Sequence, residues 1–261
     1  MTEAITSYFT AHDNGFMPAA HAAGPWSPDM LHGRFVGGLA AREIERGFIE
    51  DGWRVSRLTV DMFRPGGIEF VAVSTKLIRS GRRIKVVDAS ITAGDHTIGG
   101  VRAVILAEGD EPSGEVWHAP VWESPDPETL GGIPDADAEV QSSAWEFRVH
   151  GGGIRSGDRS RVWTNDHGVL VDGEAMSPLV RAAVSADLAS PLANGHDEGV
   201  SYINADYTLA MARYPVGEWI GHEATTHLAN GGIALGATTM YDEVGPFATS
   251  TTTALANPGL I

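Results

Sequence analysis

Asp187 closes an apolar run, Val184-Ser185-Ala186-Asp187-Leu188. Apolar surroundings raise a carboxyl pKa, which suits the group to general-base work. Its position is otherwise adverse, because a carboxylate opposes the dipole at a helix C-terminus. The plainer alternative is an exposed polar helix end. Asp206, in Tyr202-Ile203-Asn204-Ala205-Asp206, is the second candidate acid, and strand alternation puts it on one face with Asn204. His32-Gly33-Arg34 stands before a helix-like run. The first amides of a helix lack partners and can polarise a carbonyl as an oxyanion hole does. Gly33 lets a ligand come close. Arg79, Arg82, Arg83 and Lys85 cluster about one turn. Arginine forks match phosphate geometry, although a solvated hairpin tip has the same composition.

What the chain lacks removes other chemistries. Its 261 residues include no cysteine, so disulfides, thiolate metal sites and a cysteine nucleophile are out. Neither Gly-x-Ser-x-Gly nor Ser-x-x-Lys occurs, so a hydrolase here would activate water rather than form an acyl-enzyme. His12-Asp13 has no partner at ligand spacing. His222 and His227, five apart on a strand, are expected on opposite faces, so no metal site is expected. Gly151-Gly152-Gly153 lacks the nucleotide-cradling pattern and reads as a loop. A net charge of −16 disfavours nucleic acid. No apolar stretch is long enough for a membrane span. The start, Met1-Thr2-Glu3-Ala4, carries no basic or apolar leader, so a cytoplasmic protein is expected.

The elements that must position these residues come in two similar sets. Residues 33–49 carry Val36, Leu39, Ala40, Ile44 and Phe48 at helical spacing. Strand-like runs follow at 68–78, 83–92 and 97–106, separated by turns at Gly81 and Gly94. After residue 144 come short strands at 145–149 and 161–164, then a helix over 174–189. Strands at 218–228, 233–241 and 248–255 close the chain, with turns at Gly231 and Gly245. Arg64-Pro65 stands before the first meander and Arg213-Tyr214-Pro215 before the second, 149 positions on. Such self-similarity marks a duplicated unit. Helix plus meander, used twice, implies an α+β architecture. Between the halves, residues 108–145 hold ten acids, no Lys or Arg, and five prolines, which reads as an extended linker. Trp117, Trp122 and Leu130 suggest that it lies along a surface.

Several of these segments resemble one family. Gly24-Pro25-Trp26-Ser27-Pro28 with Leu31-His32-Gly33, the basic turn Arg79-Ser80-Gly81-Arg82-Arg83, Arg213-Tyr214-Pro215-Val216-Gly217-Glu218-Trp219, and Leu235–Tyr241 running into Asp242-Glu243-Val244-Gly245 are similar to the thioesterase-like superfamily related to bacterial type II acyl-CoA thioesterases. The resemblance implies a tandem, or double, hot dog: two long helices, each wrapped by an antiparallel sheet. The expected units are an N-terminal hot dog (1–107), the linker (108–144) and a C-terminal hot dog (145–261), with the two sheets joined edge to edge.

It also implies hydrolysis of acyl-CoA by an activated water, with no cofactor or metal. The catalytic set carried over is Asp187 as base, Asn204 where the family places Thr or Ser, and Thr252 where it places Gln. The expected substrate-binding residues are His32, Gly33, Arg34, Arg82 and Arg83. The expected partner is acyl-CoA, with neither nucleic acid nor membrane, and a homo-oligomer formed through the sheets. The departures at Asn204 and Thr252 keep open a non-catalytic acyl-thioester binding protein. A hot dog hydratase or dehydratase is the third reading, disfavoured because His32 has no Asp near it on its helix.

Overall fold

The computed structural model describes residues 7–132 and 144–257. Met1–Ala4, Pro134, Asp135, Asp137 and Glu139 fall outside them. The first half runs β1 (Ser7–His12), β2 (Gly15–Pro18), β3 (Ala23–Gly24), β4 (Ser27–Leu31), α1 (Arg34–Phe48), β5 (Trp53–Met62), β6 (Val71–Ser80), β7 (Ile84–Ala93) and β8 (His96–Ala107). The second runs β9 (Trp145–Gly151), β10 (Arg161–Asp166), β11 (Val169–Val171), α2 (Pro178–Ala186), α3 (Ala189–Asn194), β12 (Tyr202–Asn204), β13 (Asp206–Met211), β14 (Ile220–Asn230), β15 (Ile233–Asp242) and β16 (Gly245–Ala256).

One sheet holds all strands but the β3–β4 pair, in the order β11-β1-β2-β6-β7-β8-β5-β13-β16-β15-β14-β10-β9, with β12 also on β16. The two meanders meet where β5 and β13 pair antiparallel, Thr59 opposite Thr208. The halves also interlock, because β1 pairs with β11 in parallel. Buried and half-buried residues alternate along β7, Ile84–Ala93, whose inward set is Lys85, Val87, Ala89, Ile91 and Ala93. The inward faces bury Val55, Leu58, Ile91 and Ile105 against Leu39 and Ile44 of α1. Gly37 and Gly38 let the helix seat this close: a Cβ at Gly37 would stand 1.7 Å from the Tyr207 hydroxyl oxygen, and one at Gly38 2.6 Å from Val184 Cγ2.

The expected second long helix is not one helix. Ser177 caps its start by accepting the Val180 amide, with Pro178 in the first turn, so residues 174–177 lie outside it. It stops at Ala186, and α3 begins at Ala189. Pro191 has no N–H to give the Asp187 carbonyl, which takes the Ser190 amide instead, at 3.2 Å. The break leaves Asp187 as the C-terminal cap of α2, still with helical backbone angles. No helix among the described residues is long and apolar enough to cross a membrane.

Helices α1 and α2 lie antiparallel. Asp187, at the end of α2, sits against Gly33, at the start of α1. At the other junction the Ser177 hydroxyl donates to Glu45 Oε2 at 2.6 Å, and Arg42 is paired with both Glu43 and Glu174. The acidic segment does dock in part. Trp122 is buried with Trp163, Trp219 and Tyr241, and Leu130 packs beside them. Trp117 does not follow: it is 83% exposed.

Candidate active site

Asp187 is buried, with its carboxylate between two helix ends. It opposes the dipole of its own helix, yet lies at the N-terminus of α1, where negative charge is favoured. A Cβ on Gly33 would stand 3.7 Å from Asp187 Oδ2. Burial pushes the Asp187 pKa above the usual carboxylate range, a shift opposed by the Asn204 hydrogen bond and the Arg34 charge. Asn204, at the end of β12, donates from Nδ2 to Asp187 Oδ1 at 2.8 Å. His32 Nδ1 lies 3.6 Å from Asp187 Oδ2. Burial and the Arg34 guanidinium lower the His32 pKa to about 3, so its ring is neutral at pH 7. The Arg34 amide donates to His32 Nδ1 at 3.3 Å. Phe35 and Val36 amides bond to the His32 and Gly33 carbonyls, so the Gly33 amide alone at this helix start has no protein acceptor among the described residues.

Arg34 is 2% exposed. Its Nη1 donates to Asp166 Oδ2 at 2.7 Å, and its guanidinium lies over the rings of Tyr8, Phe35 and Trp145. Tyr8 completes the set by donating to Asp166 Oδ1. Arg34 therefore lines the site as a locked charge rather than as the free ligand fork expected. Nothing local announced the partnership, since Asp166 comes 132 residues later and Tyr8 lies in a short strand with no clear pattern of its own.

Two cavities of about 250 Å³ each meet at His32, Asp187 and Asn204. One arm runs beneath Trp145, Phe147, Ile154 and Leu188, residues of a buried apolar cluster. Ser190 also lines it, and its buried hydroxyl has no hydrogen-bond partner among the described residues. The other arm passes Gly33, Val36 and Met62 towards Phe63, Arg64 and Pro65 at the surface.

Thr252 makes no hydrogen bond to Asp187 among the described residues, although it shares the inward face of β16 with Ser250, which donates to the Ala186 carbonyl. Its hydroxyl donates to the Asp206 carbonyl at 2.8 Å, and it lines neither arm. Asp206 is turned away, accepting the Thr253 amide and hydroxyl. The reason is a β-bulge. From Asn204 to Thr208 the chain advances four residues, while its partner advances three, from Ala254 to Thr251. That extra residue puts Asn204 and Asp206 on opposite faces. A second bulge, between Ala224 and Thr226 of β14, has the reverse effect on the two histidines. His222 meets Ser185 of α2 and His227 meets Asn194 of α3, so both reach the helix side.

Arg82 and Arg83 do not join the site. Their hairpin stands at the C-terminal end of α1, where neighbouring Lys85 bonds to the Phe48 carbonyl and Glu50. The full length of α1, about 22 Å for its turns, separates them from Asp187. Among the described residues no three His, Asp or Glu gather as a metal site.

Comparison with known proteins follows the same lines. The acyl-CoA thioesterase II TesB2 of Mycobacterium marinum is 16% identical, with 86% of this chain and 90% of that one covered, at a TM-score of 0.64. The tesB protein of Mycobacterium avium subs paratuberculosis is 14% identical, with 96% of each chain covered and a TM-score of 0.67. A hot dog-fold protein of Alicyclobacillus acidocaldarius is 12% identical, covering 97% of this chain and 96% of that one at 0.70. At such identities the likeness speaks for the fold, which is of the hot dog thioesterase type. No curated protein matches the chain. Residues 22–107 match the family model of the acyl-CoA thioesterase N-terminal domain and residues 119–256 that of the C-terminal domain, and the chain belongs to this acyl-CoA thioesterase family.

Proposed function

We propose that the protein hydrolyses acyl-CoA thioesters with water activated by Asp187. One observation carries this reading: a buried carboxylate of raised pKa stands where two largely apolar arms meet, beside Gly33, whose amide has no protein acceptor among the described residues. Asp187 takes a proton from water as the water oxygen attacks the thioester carbonyl carbon. Negative charge collects on the carbonyl oxygen, where the Gly33 amide and the α1 dipole stabilise it. The C–S bond then breaks, and the thiolate leaves with the proton held by Asp187. Free acid and thiol result, and the carboxylate is restored. Asn204 orients Asp187, and neutral His32 flanks the same carboxylate. Thr252 has no part in this scheme.

The architecture is read as two hot dog units, 1–107 and 145–261, joined through β5 and β13 and by the segment 108–144. A second reading, a non-catalytic acyl-thioester binder, draws support from Asn204, whose amide already occupies one Asp187 oxygen. Release of free thiol from a panel of acyl-CoAs decides between them. Turnover on any member supports the hydrolase. Tight binding without thiol release overturns it in favour of the binder.

A further inference from the structure

The two arms differ in a way that orients a substrate. Both arms reach exposed residues, His21 in the arm under Trp145 and Phe147 and Arg64 in the other, but only the first is walled by the buried cluster of Trp145, Phe147, Ile154 and Leu188. Arg64 and Arg213 hold matching places, each two residues after the methionine that ends its strand, Met62 of β5 and Met211 of β13. Their surroundings are opposite. Arg213 grips both oxygens of Asp242, the residue that closes the β15 turn opposite Gly245, and also bonds the Gly245 carbonyl. The corresponding closing residue in the first half, opposite His96, is Ala93. Arg64 thus lacks the carboxylate its counterpart holds, and among the described residues it forms no ion pair. Its side chain is exposed and lines the arm that leads to Asp187. Met62, against Gly33 at the inner end, is two residues, or about 7 Å of extended chain, away.

We infer that the arm past Met62 receives the thiol half of the substrate, with Arg64 meeting the phosphates of coenzyme A, and that the arm under Trp145 and Phe147 receives the acyl chain. The inference rests on the hydrolase reading for its substrate. A guanidinium presents paired donors that fit a phosphate, and a phosphate contact is favoured where no protein carboxylate competes. The arm under Trp145 and Phe147 offers its aromatic and aliphatic walls to a chain without charge.

The test compares an acyl-CoA with the same acyl group on pantetheine, which carries no phosphate. The parent should prefer the CoA thioester in KM. Arg64→Glu should raise KM for acyl-CoA about five- to twentyfold, the scale of removing a charge-assisted hydrogen bond at an exposed site. It should also bring the CoA-to-pantetheine preference close to one. Arg64→Lys should keep most of that preference. Arg79→Glu makes the same change of charge at the far hairpin and should leave it alone. Equal effects of Arg64→Glu on both thioesters, or an equal effect from Arg79→Glu, would overturn the assignment. If no thioester is hydrolysed at all, the hydrolase reading falls separately. Calorimetric titration with CoA then decides the arm: weaker binding by Arg64→Glu than by the parent supports it, and equal binding removes it.

Discussion

Replacing Asp187 by Asn removes a base while keeping the contacts that hold it. The new amide oxygen can still accept from Asn204, as Asp187 Oδ1 does at 2.8 Å. The new NH₂ takes the place of Oδ2, 3.6 Å from His32 Nδ1, whose lone pair already accepts the Arg34 amide. What disappears is proton acceptance. General-base contributions run at about 10²- to 10⁴-fold, or roughly 3 to 5.5 kcal/mol of barrier, so kcat should fall by that much with KM little changed. Stability should move the other way. Burial raises the folded pKa of Asp187 above its unfolded value, so its contribution to stability is greatest at low pH and is lost as pH rises through that range. At pH 7 the neutral amide escapes this penalty, and Tm should rise by about 2–4 °C for each kcal/mol relieved. Thiol-release kinetics and a thermal melt on one preparation read both effects. Parent-level turnover in Asp187→Asn would refute the base assignment, and a lower Tm would refute the account of burial.

Three further outcomes follow from other contacts. Arg34→Met leaves Asp166 with an uncompensated buried charge and should destabilise the fold by about 3–5 kcal/mol, measured by urea unfolding. Thr252→Ala removes only the hydroxyl on the Asp206 carbonyl, so it should lower stability by about 1 kcal/mol without slowing thiol release. His222, fully buried, has its pKa lowered by burial to about 3. Its contribution is therefore complete above pH 6.5 and lost as pH falls from there towards 3, with a slope of up to about 1.4 kcal/mol per pH unit. Stability measured across that window should fall less steeply in His222→Gln.

The sequence carried the meanders and α1 because their signals are local. Alternation along β7 and the apolar stripe Val36, Leu39, Ala40 and Ile44 each lie within one element. The strand starts were less legible, since Ile68 lies outside a strand that begins at Val71. Asp187 stood out as an odd acid among apolar residues, yet its real setting depends on the start of a helix some 150 positions earlier. The pairing of Asn204 with Asp206 failed because one inserted residue reverses a strand face, and no residue at 205 advertises a bulge. Arg82 and Arg83 were judged by type alone, and type says nothing about which end of α1 they occupy.

The antiparallel helices create two junctions of the same kind, each bringing the last turn of one helix to the first turn of the other. At one, hydrogen bonds and ion pairs join Ser177, Glu45, Arg42 and Glu174 around a hollow of about 220 Å³. At the other, Gly33 contributes no side chain and Asp187 faces an open hollow. The two hollows therefore differ in their rims: charged pairs border one, and a helix-start glycine with a buried carboxylate borders the other. On the proposed mechanism only the junction that holds Asp187 takes substrate. Saturation should come at a single equivalent per polypeptide, with no cooperativity arising within the chain itself.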